Sequence, residues 1–383
     1  MTGEAKPDTV CVLPWSHISS SVDGVWSRCC FDTTSDYDEY YRQETEPEFV
    51  LAPDALGCSP LSRYAKANPD RAMGLREAFN SPNMKRTRLQ MLAGERPAAC
   101  SYCFQQEDLG VGSHRTHMTA LHGEEVNLPE LLAATGADGS LDRFPTYLDL
   151  RFGNTCNLAC IMCSFPVSSK LGAGRTPVWT TANIDPYRDD EELWRTLREQ
   201  ANEIRILYIA GGEPFMQPGY RRLLDLLTET GDASHIKIHH NSNLTILPPG
   251  LWPLLRQFER ASIAASCDGI GEVFERIRVG ARWEDFVTNI RIASKEVEVW
   301  LDVTVQRDNI GSLDGLHEFA RAEGVRMRAQ NILQYPEDLS VRSLPRAERE
   351  RHAADVERLS VECREHEPDL FAELERVRDY LLS

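Results

Sequence analysis

The chain has 383 residues, 42% of them hydrophobic and 26% charged. That is the composition of a water-soluble globular protein long enough to bury a real core. Its formal net charge of −17 argues against a nucleic-acid partner, since phosphate binding needs clustered Lys and Arg. No run reaches the length of a membrane span, and the polar start, Met1 to Val10, has no signal-peptide core. A cytoplasmic location is expected, and there 11 cysteines point to metal rather than to disulfides.

Six cysteines fall in residues 1–140: Cys11, Cys29, Cys30, Cys58, Cys100 and Cys103. Val10 to Trp15 is apolar and strand-like, with Pro14 near its end. Asp23-Gly24 between two apolar runs predicts a hairpin that brings Cys11 towards Cys29 and Cys30. Thr33 to Glu46 is acidic and aromatic and reads as an exposed loop. Leu75, Phe79, Met84, Leu89 and Leu92 have helical spacing, with Pro82 as a break. Cys100-Ser101-Tyr102-Cys103 follows. A C-x2-C pair after a helix, together with hairpin cysteines, can make a four-thiolate site. Zinc is one candidate for it. A redox-active pair is disfavoured, because no thioredoxin-like βαβ pattern surrounds Cys100 and Cys103.

From residue 141 to 335, strands and helices alternate. The predicted strands are Tyr147–Phe152, Ile204–Ala210, Ile236–His240, Ala261–Ser266, Val299–Gln306 and Val325–Ile332. Helical patterns lie between them, at Glu191–Glu203, Tyr220–Thr230, Gly250–Phe258, Trp283–Val297 and Leu313–Glu323. This predicts an α/β fold with a parallel sheet and helices outside it. Six strands are too few to close an eight-stranded barrel.

After the first of these strands comes Cys156-Asn157-Leu158-Ala159-Cys160-Ile161-Met162-Cys163. Three thiolates on one loop can converge on a single metal centre. A disulfide would use two and strand one, and tetrahedral zinc would need a fourth ligand from elsewhere. An iron–sulfur cubane normally takes four cysteines, so one held by three leaves an iron open for chemistry.

The C-x3-C-x2-C stretch resembles the signature of radical S-adenosylmethionine (SAM) enzymes. Further stretches at strand ends agree, where βα folds place their sites. Gly211-Gly212-Glu213-Pro214 resembles the family's G-G-E-P motif, which binds the SAM amino group. Ser242 and Asn243 match the T-N-G position near the ribose, with Leu244 standing where glycine is common. Ser266, in Ser266-Cys267-Asp268-Gly269, matches the residue reaching the methionyl carboxylate, and Arg278 matches an arginine that often follows. Asn309 matches a frequent asparagine. The resemblance implies a partial (β/α)6 barrel whose Cys156, Cys160 and Cys163 hold a [4Fe-4S] cluster. It further implies that SAM is cleaved reductively to a 5′-deoxyadenosyl radical, which abstracts a substrate hydrogen. An electron donor such as flavodoxin or ferredoxin is implied as a partner, beside a small-molecule or peptide substrate.

Residues 9–34 and 95–120 resemble the twitch form of the SPASM domain, here placed before the barrel. That resemblance implies a second, auxiliary [4Fe-4S] cluster on Cys11, Cys29, Cys100 and Cys103. Cys29 is preferred to Cys30 because SPASM-like hairpins commonly place the ligand five residues after the turn glycine. Cys267 reads as a packed thiol. Cys30 and Cys58 are candidates for returning a hydrogen atom to a substrate radical. A zinc-binding, cysteine-rich interaction protein without catalysis is the rival reading. Residues 336–383 form a C-terminal extension: a loop with two prolines, then charge-rich helices broken at Pro368.

Overall fold

The computed structural model describes residues 8–22, 24–32, 74–108, 112–163, 167–171 and 184–383. The acidic loop at 33–46, Asp23 and Cys58 lie outside these residues. The described residues form eight strands with helices between them, an α/β fold as expected. Contacts divide the chain into two units. The first is Met1–Gly153, Asp185–Tyr208 and Glu229–Asp232; the second is Asn154–Ile184, Ile209–Thr228 and Ala233–Ser383.

In the first unit, the stretch Val10–Trp15, expected as strand, is instead irregular chain leading into a one-turn helix, α1 (Leu13–Ser16). Val10, Val12, Leu13 and Trp15 are all buried. With both sides buried there is no alternation to tell a strand from a helical turn, and Pro14 sits at the first turn of the helix. The strand β1 (His17–Ser20) follows and pairs antiparallel with β2 (Trp26–Ser27), in register Ser19 to Ser27. The hairpin turns at Gly24, whose φ of +85° suits glycine. The predicted helix is broken at Pro82 into α2 (Leu75–Ala78) and α3 (Pro82–Leu92), and the Ser81 hydroxyl caps α3 by accepting from Met84 N–H.

Three further helices follow: α4 (Ser101–Asp108), α5 (His114–His122) and α6 (Leu128–Ala133). Strand β3 (Tyr147–Arg151) lies parallel to β1, pairing Ser19 with Asp149. Helix α7 (Glu191–Glu199) and the first half of β4 (Ile206–Ala210) complete this unit.

The second unit continues β4 through α8 (Pro218–Thr230), β5 (Lys237–Ser242), α9 (Leu251–Leu255) and β6 (Arg260–Ser266). Then come α10 (Glu272–Ile277), α11 (Trp283–Ala293), β7 (Glu298–Val305), α12 (Leu313–Glu323) and β8 (Arg326–Ile332). Strands β5 to β8 pair in parallel. The C-terminal helices are α13 (Arg346–Cys363) and α14 (Pro368–Leu382). Helix α14 covers the edge strand: Glu373 accepts from Ala329 N–H at 2.7 Å and from Arg328 Nε at 2.6 Å. An exposed edge would otherwise offer that N–H for foreign pairing.

Arg88 ties α1, the end of α2 and the chain at Gly139 together in the first unit. It is fully buried on α3, and its guanidinium donates to three carbonyls, Pro14 and Phe79 at 2.7 Å and Gly139 at 3.1 Å, and to Asn80 Oδ1 at 3.0 Å. Burial pulls its pKa down to about 10. Arg88→Met would leave those acceptors unsatisfied. The expected loss is on the order of 3 kcal/mol, measured as an earlier denaturant transition; an unchanged midpoint would contradict this role.

Candidate active site

The cysteine loop starts at Asn154, which is buried. Its Oδ1 accepts from Ile184 N–H at 2.8 Å, and its carbonyl accepts from Ser169 N–H at 2.9 Å. Thr155 then presents its carbonyl to two donors, Glu213 N–H at 2.8 Å and Gln217 Nε2 at 2.7 Å. This ties the cysteine loop to the turn after β4. Gly212 explains why that turn is glycine-rich: a Cβ there would meet Thr155 O at 2.4 Å and the Asn154 carbonyl carbon at 2.6 Å. Farther along, Ala159 N–H donates to Val279 O at 2.9 Å, and Ile161 N–H to Ile277 O at 3.0 Å. The loop is therefore held from two sides by backbone.

Its thiols differ in exposure. Cys156 and Cys160 are buried and Cys163 is half-buried. Cys156 Sγ accepts from Leu158 N–H at 3.5 Å and lies 4.0 Å from Asn243 Nδ2. Burial raises the Cys156 and Cys160 thiols, while Arg278 pulls Cys160 down. A thiolate beside backbone N–H groups and a guanidinium is what a cationic metal centre requires. These donors fit an iron–sulfur cluster.

Glu213 is fully buried. Ser242 Oγ donates to it at 2.7 Å, Asn243 N–H at 2.8 Å and Phe215 N–H at 3.3 Å. Burial outweighs these donors and lifts its pKa from the usual 4.5 to about 7. The structure thus brings Ser242, Asn243 and Glu213 together, with the Ser242 hydroxyl committed to the carboxylate. Leu244 adopts φ +50°, so the backbone takes the conformation glycine would favour, at a cost of roughly 1–2 kcal/mol for leucine. Its N–H donates to Ser242 Oγ at 3.0 Å, and its carbonyl accepts from Asn289 Nδ2 at 3.0 Å.

Ser266 ends β6 half-buried, and Cys267 packs fully buried beside it. Arg278 is 2.7 Å from Asp268 in a buried ion pair, a partnership the sequence reading lacks. The carboxylate and nearby Cys160 keep the guanidinium charged despite burial. Asp302, on β7, is a second addition: it is buried, and its carboxyl is pushed up to about 6 by burial, then by the charge of Asp268. The signal available was a lone acid in the apolar run Trp300-Leu301-Asp302-Val303. Asn309 is buried and turns inward on its own loop, accepting from Gln306 N–H at 2.8 Å.

The first unit gathers the other cysteines. Cys11 and Cys103 are buried, Cys29 and Cys100 half-buried, and Cys30 exposed. Burial pushes Cys11 up to about 12, and Cys100 and Cys103 add to the rise; Cys29 is raised by burial and by Cys30 and Cys11. These thiols therefore lie within electrostatic reach of one another. Cys29 and Cys30 sit in the turn beyond β2, not on the strand. Cys103 falls in the first turn of α4, with Cys100 just before it. Arg115 pairs with Glu107 at 2.5 Å and donates to Val10 O at 2.9 Å, pinning the chain beside Cys11. Arg28 pairs with Asp32 and lowers Cys100. Among the described residues, no three of the thiols in either set lie within 4.8 Å of one another.

Residues 150–320 match the sequence model of the Radical SAM superfamily. The matched region carries the cysteine loop and the Glu213 turn. No curated protein matches the chain. Among solved structures, SuiB of Streptococcus suis is similar at 15% identity over 74% of this chain and 63% of that one, with a TM-score of 0.43. A structure of anSMEcpe with bound AdoMet is similar at 15% identity over 55% of this chain and 59% of that one, TM-score 0.42. The methyltransferase TsrM of Kitasatospora setae, with cobalamin and a [4Fe-4S] cluster bound, is 10% identical over 47% and 34%, TM-score 0.32. The chain thus spans less than two thirds of the length of these proteins. No helix among the described residues is long and apolar enough to cross a membrane.

The raised Glu213 carboxyl has a thermodynamic consequence. Between pH 4.5 and about 7 the folded state holds a proton that the unfolded state has lost, so this group's contribution to stability falls as pH rises through that window. Glu213→Gln should flatten that part of the stability–pH curve in denaturant titrations; a variant curve parallel to wild type would contradict the raised carboxyl.

Proposed function

We propose that the chain is a two-cluster radical SAM enzyme, with residues 141–335 as its catalytic part, 1–140 as the auxiliary-cluster region and 336–383 as a helical extension. The observation that carries this reading is the backbone tie between the Cys156–Cys163 loop and the Gly211–Pro214 turn, with Cys156 within electrostatic reach of the buried Glu213. Cys156, Cys160 and Cys163 would hold a [4Fe-4S] cluster, which supplies the electron that cleaves SAM to methionine and a 5′-deoxyadenosyl radical.

The chain's own residues do the rest. Glu213, which accepts three hydrogen bonds and is raised by burial, offers a carboxylate to the SAM amino group. A cation there would hold it ionised, so binding SAM would release a proton below about pH 7. Gly211, Gly212 and Pro214 shape the turn. Asn243, reaching Asn157 Oδ1 at 2.9 Å, orders the loop next to the ribose position. Ser266 and Arg278 face the methionyl carboxylate in this reading, with Asp268 orienting the guanidinium.

Cys11, Cys29, Cys100 and Cys103 would hold the auxiliary cluster, with Arg28 and Arg115 balancing thiolate charge. A reducing compartment such as the cytoplasm suits such thiols. An electron donor of flavodoxin or ferredoxin type is required, and the substrate is a small molecule or a peptide that is oxidised, epimerised or crosslinked.

Two experiments test this. Replacing Cys156, Cys160 and Cys163 together by Ala should abolish 5′-deoxyadenosine formation and halve the iron content from about eight per chain. Cleavage that survives in the triple variant would overturn the catalytic assignment. Cys100→Ala or Cys103→Ala should remove the auxiliary irons yet leave SAM cleavage, with product falling far more than 5′-deoxyadenosine if that cluster accepts the substrate electron. Wild-type product yield per 5′-deoxyadenosine would exclude that role.

A further inference from the structure

A second group of metal-type ligands lies apart from either cysteine set, in the second unit. His317 on α12, Cys363 at the end of α13 and Glu367 just before α14 place one ligand atom each within 4.8 Å of the others. His317 Nε2 is 2.6 Å from Glu367 Oε1 and 3.8 Å from Cys363 Sγ. His317 and Cys363 are buried, and the Glu367 side chain is 27% exposed. Local backbone sets this up. Glu367 N–H donates to Cys363 O at 2.8 Å, closing the turn between α13 and α14 so that both side chains meet the same face of α12. Pro368 opens α14 immediately after.

A thiol, an imidazole and a carboxylate converging at one point form a mixed sulfur, nitrogen and oxygen donor set. That mixture suits zinc better than magnesium or calcium, which prefer oxygen alone. Tetrahedral zinc, with a sulfur bond of about 2.3 Å and a nitrogen bond of about 2.0 Å, would hold sulfur and nitrogen about 3.5 Å apart, close to the separation found. The imidazole and carboxylate need only part from hydrogen-bond distance to tetrahedral distance. The exposed side of Glu367 leaves a route for the ion and a fourth position for water.

We propose that His317, Cys363 and Glu367 form a zinc site that staples the C-terminal helical pair to α12. The pair is worth fixing, because α14 carries the Glu373 that closes the edge of β8. Zinc bound only by the folded chain stabilises it by mass action.

The test uses the full chain with its iron–sulfur clusters reconstituted, so that the cluster cysteines are occupied. Wild type, Cys363→Ser and His317→Gln are dialysed against micromolar zinc, and zinc and iron are measured together. Wild type should retain about one zinc per chain. Each variant should bind it at least about tenfold more weakly, with iron unchanged. Cobalt(II) in place of zinc should give wild type a thiolate-to-cobalt absorption band that Cys363→Ser lacks. Where Cys363→Ser fails to fold, His317→Gln and Glu367→Gln carry the comparison. Wild type without retained zinc and without the cobalt band would overturn the site, as would equal zinc retention in folded variants.

Discussion

One carbonyl oxygen organises the candidate site. Thr155 O receives the Glu213 N–H and the Gln217 amide, so the cysteine loop and the turn after β4 cannot move independently. The contact demands glycine at 212, because any side chain would collide with the Asn154–Thr155 peptide. From this clamp follow the depth of Cys156, the burial of Glu213 and the reach of Asn243 to the loop. A substitution at Gly212 would thus disturb thiol placement without touching a thiol.

The site concentrates charge where water is scarce. Glu213 is solvated by three protein donors, and Arg278 is offset by Asp268. Burial, then the charge of Asp268, raises the Asp302 carboxyl. Buried groups of this kind destabilise a fold unless each is compensated, and their cost is the ordinary signature of a binding site. The first unit follows the same logic with thiols, its arginines 28 and 115 each committed to a carboxylate on one side and biased towards cysteine on the other.

Much of this was legible from residues alone because two periods dominate the chain. Helix α12 runs from Leu313 to Glu323 as its apolar spacing predicts, and strands β3 to β8 end within two residues of the alternating runs. The break at Pro82 and the two C-terminal helices at Pro368 also follow from proline's geometry. Val10 to Trp15 has the pattern of a strand and is not one, because burial on all sides erases periodicity. The Arg278–Asp268 pair, the acid at Asp302 and the trio at His317 depend on contacts across 10 to 50 residues, and local pattern carries no record of these. Leu244 shows the converse: it breaks a glycine position in sequence, yet its backbone keeps the glycine conformation.

The most direct test of the central claim, that the Cys156–Cys163 loop and the Glu213 turn form one SAM site, is the electron paramagnetic resonance spectrum of the reduced protein with and without SAM. The account predicts that SAM shifts one cluster signal in wild type, and that the signal left in the Cys156, Cys160 and Cys163 triple variant does not respond. A shift that persists in that variant would contradict it.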